Sequence, residues 1–133
     1  MVNRSVIKTL ASLFLLGISV PLLAHHSFAA VFDVNTSVEL SGTVTDVEWM
    51  NPHAWIHIDV ENDDGDVESW SFELGSPNGL TRRGWSRATI QPGDVISVSG
   101  YRARDGSRRA NVVGVTLASG QRLDGMSSRP NSK

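Results

Sequence analysis

The sequence predicts an all-β domain. Apolar and polar residues alternate with a period of two in several segments, Gly, Pro, Asn and Asp cluster between those segments, and helix signals occur in one short stretch only. The first strand is Val38 to Trp49 (VELSGTVTDVEW), where Gly42 inside the alternation marks a bend or bulge. After Asn51-Pro52, the run Ala54 to Glu61 (AWIHIDVE) puts Ala54, Ile56, Ile58 and Val60 on one face and Trp55, His57, Asp59 and Glu61 on the other. Asn62 to Asp66 (NDDGD) is a hairpin turn, and Val67 to Leu74 returns with Trp70, Phe72 and Leu74 facing inward. Ser76 before Pro77 reads as an N-cap and first helical residue, and Gly84 after Arg82-Arg83 as a stop, so a short helix covers 77–83 and Trp85 tucks under the barrel. Pro92-Gly93-Asp94 and Asp105-Gly106 then turn the chain into strands at Val95 to Ala103 and Ala110 to Ala118. Five strands with one short helix between the third and fourth, and a glycine bending the first, form the element order of a small OB-like Greek-key barrel. An open sheet or sandwich is the competing architecture.

A cleavable leader precedes this domain. Arg4 and Lys8 are the only charges before Asp33, and the apolar run from Leu10 to Val20 is too short to span a bilayer comfortably. Pro21 ends that run and places a small residue at Ala24, so residues 1–24 read as a signal peptide and His25 as the first residue of the exported chain. A second cut is open after Ala29. The expected organisation is a signal peptide at 1–24, one barrel domain at 25–124, and a disordered tail at 125–133. An exported domain this small often relies on disulfides, but there is no cysteine, so packing and hydrogen bonds alone must hold it and reduction leaves it untouched.

Charge is divided along the chain. From His25 to Gly75 there are eleven acids and no lysine or arginine, whereas from Ser76 onward ten bases face three acids. Either acidic and basic strands neutralise one another across strand pairs, or the surface is dipolar and steers an anion or partner. Export and an acidic balance exclude nucleic acid as the expected ligand, and no membrane span is expected after the leader is removed.

Histidine carries the candidate chemistry. All four, His25, His26, His53 and His57, fall in the first third of the exported chain. Cleavage after Ala24 would give His25 an α-amine beside its own imidazole, a chelating pair suited to copper, with His26 or His53 supplying a third nitrogen. The plainer reading of the pair is a polar start to a terminal arm. His53 and His57 are four residues apart, about 13 Å in an extended strand, so they are not expected to share one ion. His57 is as well placed to hydrogen-bond near Ser69, Ser71 or Glu73.

Trp49, Asn51, His53, Trp55 and His57 form a second, ligand-binding candidate at the loop between the first two strands, which borders the face where OB barrels bind ligands. The alternative is that the tryptophans cover the barrel end or the N-terminal arm. Arg82 and Arg83, beside the helix start at Gly75 to Gly79, are a weak anion-binding candidate. No nucleophile with its base, carboxylate pair or phosphate loop appears, so no catalytic residue is assigned and no enzyme is expected, although an accessory subunit or enzyme acting on a small anion near Arg82 and Arg83 stays open as the weakest reading.

The strings HHSFAAVFD (from His25), EWMNPHAWIHIDV (from Glu48), FELGSPNGLTRRGW (from Phe72) and PGDVISVSGYRARDGS (from Pro92) resemble a family of small exported proteobacterial proteins of unknown function. Val31 stands where the pattern leads one to expect an acid. The resemblance implies a cut before His25 and a Gram-negative periplasmic location, and it brings no activity or cofactor. The expectation is a periplasmic binding protein, binding copper at His25, His26 and His53, or else docking on a periplasmic or membrane partner through the Trp49–Trp55 loop.

Overall fold

The structure, a computed structural model, describes residues 28–127. The leader, His25, His26 and the last residues of the tail therefore lie outside the described part. A single turn, α1 (Phe28–Val31), leads into β1 (Phe32–Glu48), followed by β2 (Trp55–Glu61), β3 (Val67–Glu73), α2 (Pro77–Thr81), β4 (Val95–Ala103), β5 (Arg109–Thr116) and β6 (Arg122–Asp124). The sheet runs in the order β3-β2-β1-β4-β5-β6, and an additional pairing of β3 with β5 closes the first five strands into a ring. All neighbours are antiparallel except at that seam, where Ser71, Phe72 and Glu73 pair in parallel with Arg109, Ala110 and Asn111.

β1 closes the ring because it serves two partners in succession. Ser37 to Thr43 pair with Tyr101 to Val95 of β4, and Thr43 to Glu48 pair with Asp59 to Trp55 of β2. Gly42 lies at the changeover. A side chain there would press on the Asp59 carbonyl, so the close approach of β1 and β2 requires glycine. The strand begins six residues before the expected Val38, because Asp33 to Ser37, with Val34 as its one apolar residue, carries no alternation for a sequence reading to follow.

The inward faces fall where the alternation places them. Ile56, Ile58, Trp70, Phe72 and Val98 are buried, joined by Val44, Ala54, Leu74, Val112 and Val115. Ser76 caps α2 by accepting from the Gly79 N–H, and Leu80 buries the helix's one apolar residue. Trp85 goes under the barrel end as expected, 4% exposed, and donates its indole N–H to the Asp124 carbonyl at 2.8 Å.

The C-terminal end differs from expectation. β5 stops at Thr116, a turn with Gly120 at positive φ reverses the chain, and β6 pairs with Gly114 to Thr116. Gly125, placed at the start of a loose tail by the sequence, is buried and its carbonyl accepts from the Gly75 N–H at 2.9 Å. No helix among the described residues is long and apolar enough to cross a membrane.

Candidate functional site

A β-bulge decides what the outer face of the barrel displays. The pairing of β1 with β2 shifts between Val44 and Asp46, which leaves Thr45 as an extra residue opposite β2. Strict alternation from the buried Val44 would turn Asp46 and Glu48 into the core and Val47 out. With Thr45 inserted, Val47 packs against the core instead, and Asp46 and Glu48 stay outside next to His57, the direct pairing partner of Asp46. The Val44 backbone is held from the other side, donating to the Asp94 carbonyl and accepting from the Gly93 N–H, both at 2.8 Å.

His57 is fixed at both ring nitrogens. Its Nδ1 lies 2.9 Å from the Ser71 hydroxyl on β3, and its Nε2 lies 2.8 Å from Oε1 of Glu48 on β1. Ser71 is among the partners expected for it, whereas Glu48 and Asp46 were not part of any candidate site. Ligand atoms of Asp46, Glu48 and His57 all lie within 4.8 Å of one another. The signal that was missed is the bulge, since a regular strand would place those carboxylates on the opposite face. The neighbouring Asp59 is already engaged, accepting from the Ser69 hydroxyl at 2.6 Å.

His53 joins a different group. Its Nδ1 lies 3.1 Å from the Leu74 carbonyl and 3.6 Å from Oε1 of Glu73. His53 in the loop and His57 on β2 therefore point to separate partners, in keeping with their spacing. Burial pushes the Glu73 carboxyl above its ordinary value of 4.5, against the lowering pull of His53, the Ser127 hydroxyl and Arg109. Behind Glu73, Asn111 is fully buried and donates to the Ser127 hydroxyl at 2.6 Å.

The loop between β1 and β2 is mixed. Met50, Asn51 and Pro52 are exposed, while Trp49 packs against the core and Trp55 and His53 are half-buried. Trp49 lines a small apolar hollow at the barrel end with Val47, Ala54, Trp85 and Ile90. Trp49 thus serves the fold, and Met50 is the large apolar side chain the loop offers to solvent.

Arg82 and Arg83 have different surroundings. Arg83 donates to the Gly79 carbonyl at 3.1 Å and pairs with Asp124 at 3.1 Å, while Arg82 is exposed. Two further arginines bridge the basic half to the acidic half, Arg108 to Glu68 at 3.0 Å and Arg104 to Asp33 at 3.5 Å. Neutralisation across neighbouring elements accounts for part of the charge division.

The family of unknown function DUF6152 matches residues 12–112. No curated protein matches the chain. Among solved structures, the mitochondrial single-stranded DNA binding protein Rim1 from S. cerevisiae superposes with a TM-score of 0.50 at 10% identity, over 65% of this chain and 94% of that one. At that identity the likeness concerns the fold alone.

Proposed function

We propose that this chain, which belongs to the DUF6152 family of unknown function, is an exported periplasmic protein of OB type that binds a metal ion, with copper at its histidine-rich N-terminus. The circuit β1-β2-β3-β5-β4 returning to β1, with α2 between β3 and β4, supports the OB reading, and so does the superposition on Rim1. Nucleic acid is not the ligand proposed. The outward residues Asp46, Glu48, Asp59 and Glu61 make the β1–β2 face acidic, which repels phosphate.

The observation that carries the copper reading is how the chain enters the fold. The Phe28 ring packs 5.4 Å from Phe32 and 6.1 Å from Tyr101, edge-on to the latter. The Ala29 carbonyl accepts from Arg104 Nε at 2.7 Å, and the Val31 carbonyl from the Arg104 N–H at 2.9 Å. A cut after Ala29 would strip Phe28 and Ala29 from these contacts, so the packing favours a cut after Ala24. That cut leaves His25 first, with amine and imidazole on one residue, and His26 second. Amine and imidazole nitrogens suit Cu(II). His53 uses Nδ1 within the fold, so its Nε2 is the atom left for a third bond.

Mass spectrometry of the exported protein tests the first step, since a chain starting at Ala30 has no histidine pair. Titration tests the second. A chain starting at His25 should take up one tightly held Cu(II), more weakly as pH falls through about 6.5, where protons compete for imidazole. Acetylating the His25 amine removes it as a ligand while keeping every side chain, and should weaken that first equivalent at least about tenfold, no less than the loss of an outer-shell partner. His57→Ala should leave it unchanged. Equal affinity with the free and the acetylated terminus would overturn the copper reading and favour the second one, docking of the Trp49–Trp55 loop on a partner, which the 51% exposure of Met50 supports.

A further inference from the structure

We propose that the outer face of the barrel carries a second metal site, for a first-row divalent transition ion, formed by His57 of β2 with Asp46 and Glu48 of β1. The site is independent of the N-terminal histidines.

Three features of the fold converge on it. The donor atoms lie within 4.8 Å of one another, close to the separation of about 4.4 Å available to two ligands that each sit roughly 2.2 Å from one ion. The histidine is oriented from behind, because the Ser71 hydroxyl 2.9 Å from Nδ1 fixes the ring so that Nε2 faces the carboxylates. Metal-binding imidazoles are held this way, with the second nitrogen hydrogen-bonded away from the ion. Finally, the bulge at Thr45 brings both carboxylates out to the ring, and bulges of this kind re-aim side chains beside functional sites.

The donor set selects the class of ion. One imidazole with two carboxylates is a mixed nitrogen and oxygen environment, suited to Zn(II), Mn(II) or Fe(II). Calcium and magnesium prefer oxygen alone, and Cu(I) prefers sulfur, which this face lacks. Asp46 is exposed and His57 and Glu48 are partly so, which leaves room for water or a small ligand to complete the coordination. When no ion is bound, the 2.8 Å contact between His57 Nε2 and Glu48 occupies the same atoms. The metal then replaces a proton between them. Ser71 is the positioning residue.

Zn(II) is the probe, measured by competition with a chromophoric chelator. The protein is the chain from residue 25 carrying His25→Ala and His26→Ala, so that the N-terminal site cannot contribute. It should bind one Zn(II). Adding His57→Ala, Glu48→Gln or Asp46→Asn should each weaken binding at least about tenfold, Ser71→Ala less, and Ser71→Thr should restore it, as expected for ligands and their hydrogen-bonded support. All four side chains reach solvent or lie near it, so the fold survives, and circular dichroism checks this. A second reading comes from nitrogen NMR of His57, where Zn(II) should move the Nε2 signal and leave Nδ1 in place. No zinc uptake in the His25→Ala/His26→Ala protein, or uptake unchanged by His57→Ala, overturns the proposal. Neither result bears on copper at the terminus, which acetylation of the His25 amine tests separately.

Discussion

Replacing Ile58 with alanine probes the centre of the barrel. Ile58 is completely buried on β2, between its pairing partners Val44 and Trp70, and Trp70 in turn stacks on Phe72 at 6.1 Å. The substitution removes three carbons, a transfer loss of roughly 2.4 kcal/mol at about 0.8 kcal/mol per methylene. The cavity adds to this, because a closed ring of strands cannot collapse inward freely, and the expected total is about 3–5 kcal/mol. Urea unfolding followed by tryptophan fluorescence measures it. For an m-value of about 1.5 kcal/mol/M the midpoint should fall by roughly 2–3 M, with m itself unchanged. Val67→Ala is the control, since Val67 is 64% exposed and should cost no more than about 0.5 kcal/mol. A loss below about 1 kcal/mol for Ile58→Ala would mean that the β2 side chains do not form the core, and would refute the packing described above.

Glu73→Gln should raise the melting temperature at neutral pH. A carboxyl whose folded pKa is raised destabilises the fold once it ionises, a penalty absent below its ordinary value of 4.5, growing as pH rises through that value and complete above the raised one. The advantage of Gln should therefore vanish in acid, and the opposite sign at pH 7 would show that attraction to His53 and Arg109 outweighs burial. Gly42→Ala should cost about 1–3 kcal/mol in chemical unfolding, because its new methyl meets the Asp59 backbone and not a flexible side chain. Trp85→Phe should lose about 1–3 kcal/mol in thermal unfolding by leaving the Asp124 carbonyl without its indole donor, whereas an unchanged midpoint would mean that water replaces it.

The barrel strands were legible where one face is apolar. β2 and β3 alternate cleanly over Ala54 to Leu74, and β4 begins and ends where the turn residues around Pro92-Gly93-Asp94 and Asp105 place it. The start of β1 was not, because the ladder with β4 is interrupted between Phe32 and Ser37 and the residues from Val34 to Ser37 are exposed, so nothing there imposes an alternation. Nor was β6, whose three residues Arg122, Leu123 and Asp124 are too few for any period to emerge. The candidate site divides similarly. His57 and its contact with Ser71 followed from strand parity, and His53 from its place in the loop. Asp46 and Glu48 did not, because parity counted from Val44 through a regular strand assigns them to the wrong face. An inserted residue leaves no mark in composition. It shows only once Thr45 is seen without a counterpart on β2.

The seam between β3 and β5 makes register a property of the whole circuit and not of any one strand pair. In an open sheet, a residue gained or lost within a strand can be passed outward to a free edge. Here the first five strands have no such outlet, because a slip between β1 and β2 must reappear at another junction before Phe72 can again meet Ala110. Thr45 is therefore counted into the closure. Length changes within β1 or β2 should be excluded from descendants of this sequence, while the turns at Asn62 to Asp66 and Arg104 to Arg108, which lie outside that count, are where the chain can grow.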